Sequence, residues 1–454
     1  MQKNAVAVLS LLVGLTTGAT GAAGADRVAE WNARAGEAAR AVCISPGGPP
    51  PPEARLYAMM HLAIHDALNA IDRRSRPYAF DAQAKKGASA DAAVAAAARD
   101  VLVPVLNQMP VPQACVDAAV ASVEADYTAV LDTIPDGRAK SRGVAVGQAA
   151  AAAILALRAG DGSDTPLQDF NYPQGTAPGE YRFTPGVPFA LLPGWGTVTP
   201  FVLRDSAQFR PGPPYPVTSQ QYAADFNEVK RLGGDGVTTP SARTAEQTQI
   251  ALFWVESSPL QWNRIARAVS AARGLDSWEN ARLFGLLNLA LADGYIGSFA
   301  TKYHYNYWRP VTAIRAADSD GNPNTSANPT WTPLRPTPPI PDYDSGHSVQ
   351  GGAGAEVLKR FFGTDRVGFS TCSLTLPAGQ TCSDASPVLR SYRSFSQAAD
   401  ENGLSRILVG FHFRLAVVEG IKHGRSIGNR AAKLFLQPVD DHGDHDDADD
   451  DHDD

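Results

Sequence analysis

A chain of 454 residues with 44% hydrophobic and 19% charged side chains can bury a large core, and its alanine content favours helices. Its formal charge of −7 is carried at one end: the ten aspartates between Asp440 and Asp454 turn a count of +3 into −7. The basic residues are scattered and form no stripe, which argues against a nucleic-acid partner.

In chain order, Lys3, the apolar run from Ala5 to Leu15 and the small residues Ala23-Gly24-Ala25 have the layout of a secretory signal peptide over residues 1–25. The mature chain then starts near Asp26, in the periplasm or outside the cell. The apolar run is too short to span a bilayer and no other stretch reads as long enough, so an integral membrane protein is not expected. Four cysteines suit an oxidising compartment. Three pairings are open; Cys372 with Cys382 is favoured by the short Ser/Thr/Pro/Gly loop between them, leaving Cys43 with Cys115.

Helical periodicity covers about 28–42 and, after the Pro/Gly breaker at 46–52, about 53–71. His61 and His65 in the second helix stand at i, i+4 without the glutamate of a zinc-protease motif, so they read as packed or capped. Alanine-rich helices are expected at 89–103, 113–131 and 136–159, with Pro104, Pro110, Pro112 and Pro135 in the turns. From 160 to 216 the pattern gives way to prolines, glycines and aromatics, an irregular excursion that would form either one wall of a substrate entrance or a belt between two helical halves. Helices resume at about 220–231, 241–254, 259–271 and 277–301. In the last of these Asp293 interrupts an apolar face, and burial would pair it with a nearby fixed cation.

Chemistry concentrates in three later blocks. Lys302 and Arg309, seven residues apart, are read on one helical face as an anion clamp. Ser345-Gly346-His347 adds a hydroxyl, a glycine open to close approach and an imidazole, with a helix over 345–362 aiming its N-terminus at an anion. Ser405-Arg406 and Gly410-Phe411-His412 add a third cation and a second imidazole. A tetrahedral oxyanion needs this much donor capacity and compensating charge, because desolvating it unpaired is prohibitive. His347, following the Ser-Gly pair, is the candidate acid/base, and His412 the candidate covalent or coordinating group. Beyond Val439 the Asp/His composition cannot form a core, so residues 439–454 read as a disordered tail after a helical domain at 26–438; His442, His445 and His452 lie in it.

In this order and spacing the three blocks resemble the motifs of vanadium-dependent haloperoxidases within the type 2 phosphatidic acid phosphatase superfamily. Ala290-Leu291-Ala292-Asp293, Tyr307-Trp308-Arg309-Pro310 and Gly410-Phe411-His412-Phe413-Arg414 followed by Glu419-Gly420 extend the likeness to bacterial chloroperoxidase-related proteins. The resemblance implies an all-α protein of two four-helix bundles. It implies vanadate held by Lys302, Arg309, Ser345, Gly346 and Arg406, with His412 as the vanadium ligand and His347 as acid/base. Hydrogen peroxide would be activated there with help from Lys302, halide would attack to give a hypohalous-acid equivalent, and a small organic acceptor would take the halogen. Two departures stand out: Asp344 replaces the usual proline before Ser-Gly-His, where it would pair with an arginine or raise the His347 pKa, and Ala416 stands where an aspartate often follows the last histidine. The same residues would suit an exported acid phosphatase with His412 as nucleophile and His347 as general acid, or a non-catalytic oxyanion-binding protein. Ile340, Tyr343, His304 and Trp308 are candidates to tune halide choice.

Overall fold

The computed structural model describes residues 26–439. The expected signal peptide at 1–25 and the tail from Asp440 onward lie outside the described residues.

The first helices start where the sequence supplies caps. Helix α1 (Arg27–Ala41) begins on Asp26, whose carboxylate accepts the Ala29 N–H, and α2 (Pro50–Ile71) carries prolines in its first turn. Helix α3 (Ala90–Asn107) starts on the Ser89 hydroxyl and runs through Pro104, which lies within the helix rather than in the turn expected after it. Helices α4 (Gln113–Asp132) and α5 (Arg138–Leu157) complete the first bundle, in which α3 packs on α2, α4 and α5.

The excursion that follows is irregular, as read, except for a two-residue pair, β1 (Gln168–Asp169) with β2 (Ala190–Leu191). Helices α6 (Gln220–Leu232), α7 (Ala245–Phe253) and α8 (Ser258–Arg273) lead to α9 (Ser277–Tyr305), opened by a capping box between Asp276 and Glu279. After the short α10 (Pro310–Arg315) come α11 (Gly346–Phe361), a hairpin of β3 (Phe369–Thr371) and β4 (Arg390–Tyr392), α12 (Phe395–Leu408) and α13 (Arg414–Leu434). The two strand pairs and α10 were not expected from periodicity; all three are too short to carry one.

Helices α9, α11, α12 and α13 form the second bundle, and α2 against α9 joins the two. The architecture is all-α, as the sequence implied. By length and composition α9 could cross a membrane, which corrects the reading that no such stretch exists; here it is buried between the bundles. Helices α11 and α13 meet through glycines: a Cβ on Gly352 would lie 2.2 Å from the Ile421 carbonyl oxygen, and one on Gly424 1.9 Å from that of Val349. This contact brings the start of α11 beside the loop before α13. Disulfides Cys43–Cys115 and Cys372–Cys382 are both formed.

His61 and His65 are core residues. The His61 ring lies between Tyr57 and Phe284 with Nε2 2.7 Å from the Asn32 amide, and His65 bridges Asp66 and Ser75 at 2.9 and 2.7 Å.

Candidate active site

Lys302 and Arg309 do not share a helix face. Helix α9 ends at Tyr305 and Asn306 takes a left-handed conformation at φ 49°, so Arg309 becomes the residue before α10. The turn nevertheless returns both cations to one buried volume. The excursion backs this turn, with Tyr181 N donating to Asn306 O at 2.8 Å and Trp308 N to Gly179 O at 2.9 Å.

Lys302 is fully buried and gives its protons to the carbonyls of Pro341 (3.1 Å), Asp342 (2.9 Å) and Asp344. Burial pushes its pKa down to about 7, with Arg309 acting the same way and Asp344 and Asp342 opposing. Arg309 donates through Nε to Ile340 O at 2.6 Å and through one terminal nitrogen to Phe411 O at 2.9 Å. That nitrogen also lies 3.0 Å from His412 Nε2. Arg406, near the end of α12, stacks its guanidinium over Phe411 at 5.3 Å, and burial followed by Arg309 pushes its pKa down to about 9.

Ser345 is the N-cap of α11, and its hydroxyl accepts from Ser348 Oγ at 2.9 Å, leaving its own proton to donate. No side chain caps the first N–H groups of α11, which stay open to an anion. A Cβ added at Gly346 would stand no closer than 3.7 Å to Ser298 and Tyr295 and 3.9 Å to Lys302 Cε, so this protein leaves space there.

The imidazole tautomers follow from their partners. His347 Nε2 lies 3.2 Å from the Glu256 carbonyl, which can only accept, so Nε2 carries the proton and Nδ1 keeps its lone pair. One Arg309 nitrogen, which can only donate, lies 3.0 Å from His412 Nε2 and 3.4 Å from Nδ1; the shorter contact favours Nε2 as acceptor and the proton on Nδ1, which stands 2.9 Å from Asp342 Oδ1 outside hydrogen-bond geometry. Burial first, then the surrounding cations, holds both histidines well below the usual imidazole range.

Several expectations need correction. Asp293 finds no cation within salt-bridge distance among the described residues. Its carboxylate accepts the N–H groups of Phe201, Val202 and Leu203 at 2.7, 2.7 and 2.8 Å, and so fastens the excursion to α9. Asp344 pairs with His423 Nδ1 (2.7 Å) and Ser298 Oγ (2.8 Å) instead of an arginine, and the His347 pKa is lowered, not raised. The carboxylate nearest His412, where Ala416 left the partner open, is Asp342, its Oδ1 2.9 Å from Nδ1 though outside hydrogen-bond geometry; it was missed although it stands three residues before Ser345, and the excess of carboxylates in Pro341-Asp342-Tyr343-Asp344 was the available signal. His423 gave no signal, being a lone histidine on a helix. Of the halide-tuning candidates, His304 is exposed and stacks edge-on with Tyr305, while Trp308 is buried against Tyr222.

The donor set fits a tetrahedral oxyanion. The second terminal nitrogen of Arg309, and Nε and one terminal nitrogen of Arg406, are buried without partners. Among the described residues the one carboxylate within 4 Å of the three cations is Asp342, 3.9 Å from Arg309. Unpaired buried guanidinium groups are costly, and an anion would satisfy them.

The comparisons agree with this chemistry. The vanadium chloroperoxidase N-terminal domain matches residues 26–195, and the second helical-bundle domain of vanadium chloroperoxidase matches 282–441. Vanadium chloroperoxidase from Curvularia inaequalis is 26% identical, the alignment covering 71% of this chain and 63% of the relative, so the chain spans less than two thirds of that protein. A crystal structure of a bacterial vanadium-dependent iodoperoxidase superposes with a TM-score of 0.73 at 25% identity, covering 91% of this chain and 97% of that one. A bacterial vanadium-dependent chloroperoxidase in its apo form gives 0.66 at 18% identity over 86% and 94%, a likeness of fold. Two domain matches of one kind, spanning both bundles and all three blocks, place this chain in the vanadium haloperoxidase family.

Proposed function

We propose that this chain is a vanadate-dependent haloperoxidase that uses hydrogen peroxide to oxidise halide to a hypohalous-acid equivalent, which a small organic acceptor then consumes. The observation that carries the reading is the set of unpartnered buried guanidinium nitrogens on Arg309 and Arg406, beside the uncapped start of α11. The two disulfides fit an exported protein.

Arg309, Ser345, Gly346 and Arg406 would hold the oxygens of vanadate, Lys302 would join them by giving up one of its three carbonyl partners, and His412 Nε2 would be the ligand to the metal. Bound vanadate supplies a Lewis-acid centre that activates peroxide without changing its own oxidation state. The chain's residues do the rest. Asp342 Oδ1, 2.9 Å from Nδ1, favours the proton there by its charge, so the Nε2 lone pair is the one offered. Lys302 stays within reach of its carbonyl partners and, when protonated, supplies a compact positive charge beside Gly346. His347 rests neutral with Nδ1 free to accept a proton; an anion in the pocket offsets the cations around it and raises its proton affinity, which suits an acid/base role.

The test is a paired assay on exported protein freed of metal and phosphate. Orthovanadate is added, and peroxide-dependent bromination, chlorination and iodination are followed beside phosphate-ester hydrolysis. Halogenation that requires vanadate and is lost in His412→Ala is the expected result. Phosphatase turnover inhibited by vanadate, without halogenation of any halide, would replace this reading with the phosphatase one. Tight vanadate binding with neither activity would leave only an oxyanion-binding protein.

A further inference from the structure

Far from the oxyanion site, the loop between α2 and α3 and the first turns of α5 enclose a groove of about 670 Å3. Phe80 and Val146 line its apolar floor, and Lys85, Arg138 and Arg142 stand on its rim. Arg142 is tied to the rim through the Lys86 carbonyl. No side chain caps the start of α5, so its first N–H groups add to the positive character of this end.

The cations here lack acidic partners. Nearby Arg73 pairs with Asp81, Arg74 with Asp72 and Asp276, and Lys140 with Asp136. Among the described residues Arg76, Lys85, Lys86, Arg138 and Arg142 have no carboxylate within 4 Å, although all but half-buried Arg142 are exposed. Lys85, Arg138 and Arg142 line the groove itself, and Arg76 and Lys86 stand on the same α2–α3 loop, so the cations are set apart by their clustering beside the end of the described chain.

The end of the described chain is stitched to the same loop. Arg76 N donates to Gln437 O at 2.8 Å, Ser75 and Pro438 form a β-bridge, and Val439 N donates to Arg74 O at 3.1 Å. The next residue is Asp440, the first of ten aspartates in fifteen residues. A strand of that length spans up to about 50 Å, whereas the ten residues from Arg76 to Lys85 span at most about 30 Å, so the tail can reach the Lys85 side of the groove.

We infer that residues 440–454 of this chain dock along the basic rim of the α5 groove as an intramolecular acidic strap. Each exposed ion pair is weak, but the tether holds many aspartates at about millimolar local concentration beside the cations of the rim and of the loop it leaves from. The inference is independent of the proposed activity, since no residue of the oxyanion site takes part.

Zero-length carbodiimide cross-linking of the full chain at low salt and high dilution, followed by peptide mapping, tests it. Links from tail aspartates to Lys85 and Lys86 are expected to dominate and to fall about tenfold at 1 M salt, where the screening length is about 3 Å. Links distributed over Lys359, Lys422 and Lys433 without preference for Lys85 and Lys86 would overturn it. A second measurement compares elution from immobilised heparin. The chain ending at Val439 should elute at higher salt than the full chain, and Lys85→Glu with Arg138→Glu should abolish that gain while Arg366→Glu with Arg393→Glu leaves most of it. An equal loss from both pairs would reduce the effect to net charge and overturn the docking.

Discussion

Asp342 Oδ1 lies 2.9 Å from His412 Nδ1 and 3.9 Å from an Arg309 terminal nitrogen, so one buried carboxylate meets both the proposed metal ligand and a clamp arginine. Burial pushes the Asp342 pKa up to about 7, opposed by Arg309 and Lys302. Asp342→Ala should weaken vanadate binding about 10- to 100-fold, the range typical when a ligand histidine loses its orienting partner. Titration calorimetry with orthovanadate checks this without relying on turnover. Unchanged affinity would mean that His412 is held by its surroundings alone.

Arg406 is buried and two of its nitrogens are unpartnered. Replacing it with methionine should stabilise the anion-free protein by about 1–4 kcal/mol, because an uncompensated buried charge is exchanged for apolar packing. Added orthophosphate should stabilise the wild type and leave this variant unaffected. Denaturant titrations with and without phosphate read both effects, and a destabilised variant that still responds to phosphate would contradict the role assigned to this side chain.

Glu53 on α2 is fully buried, and burial, opposed by the Ser257 hydroxyl and reinforced by Glu256, raises its pKa to about 8 from 4.5. Between these values the folded state keeps a proton that the unfolded state has released. The resulting stability is full below about pH 4.5 and is lost as pH rises to about 8. Glu53→Gln should match the wild type near pH 5 and exceed it by about 2–4 kcal/mol near pH 9. Parallel urea midpoints across that range would show that Glu53 does not hold the proton.

Gly424 faces the backbone of α11 with no room for a methyl group, since a Cβ would stand 1.9 Å from Val349 O. Gly424→Ala should cost about 3 kcal/mol or more through overpacking. By separating α13 from α11 it should also weaken oxyanion binding, although it touches no residue of the site. Retained vanadate affinity in a folded Gly424→Ala protein would show that the loop before α13 is held by other contacts.

The disulfides close loops of different length, with separations of 72 and 10 residues. Replacing both cysteines by serine should cost about 4 kcal/mol for Cys43–Cys115 and about 3 kcal/mol for Cys372–Cys382, from the chain entropy each removes. Thermal denaturation of the two double variants gives the order directly.

The sequence by itself determined the helices, because periodicity and capping are local: Asp276 with Glu279 opens α9, and the spacing of apolar residues marks nearly every long helix within a few positions. It also picked out Lys302, Arg309, Ser345, Gly346, His347, Arg406 and His412, since an oxyanion needs many donors and those residue types stand in compact blocks. Only the tertiary structure decided how these meet and what supports them. The left-handed turn at Asn306 returns Arg309 to Lys302 without a shared helix, and the glycine contact of α11 with α13 sets Ser345 beside the loop carrying His412. Asp342 lies against His412, Asp344 turns to His423 and Asp293 to the excursion backbone. A buried carboxylate takes whichever donors the packing of distant segments brings to it, and no pattern within one segment encodes that choice.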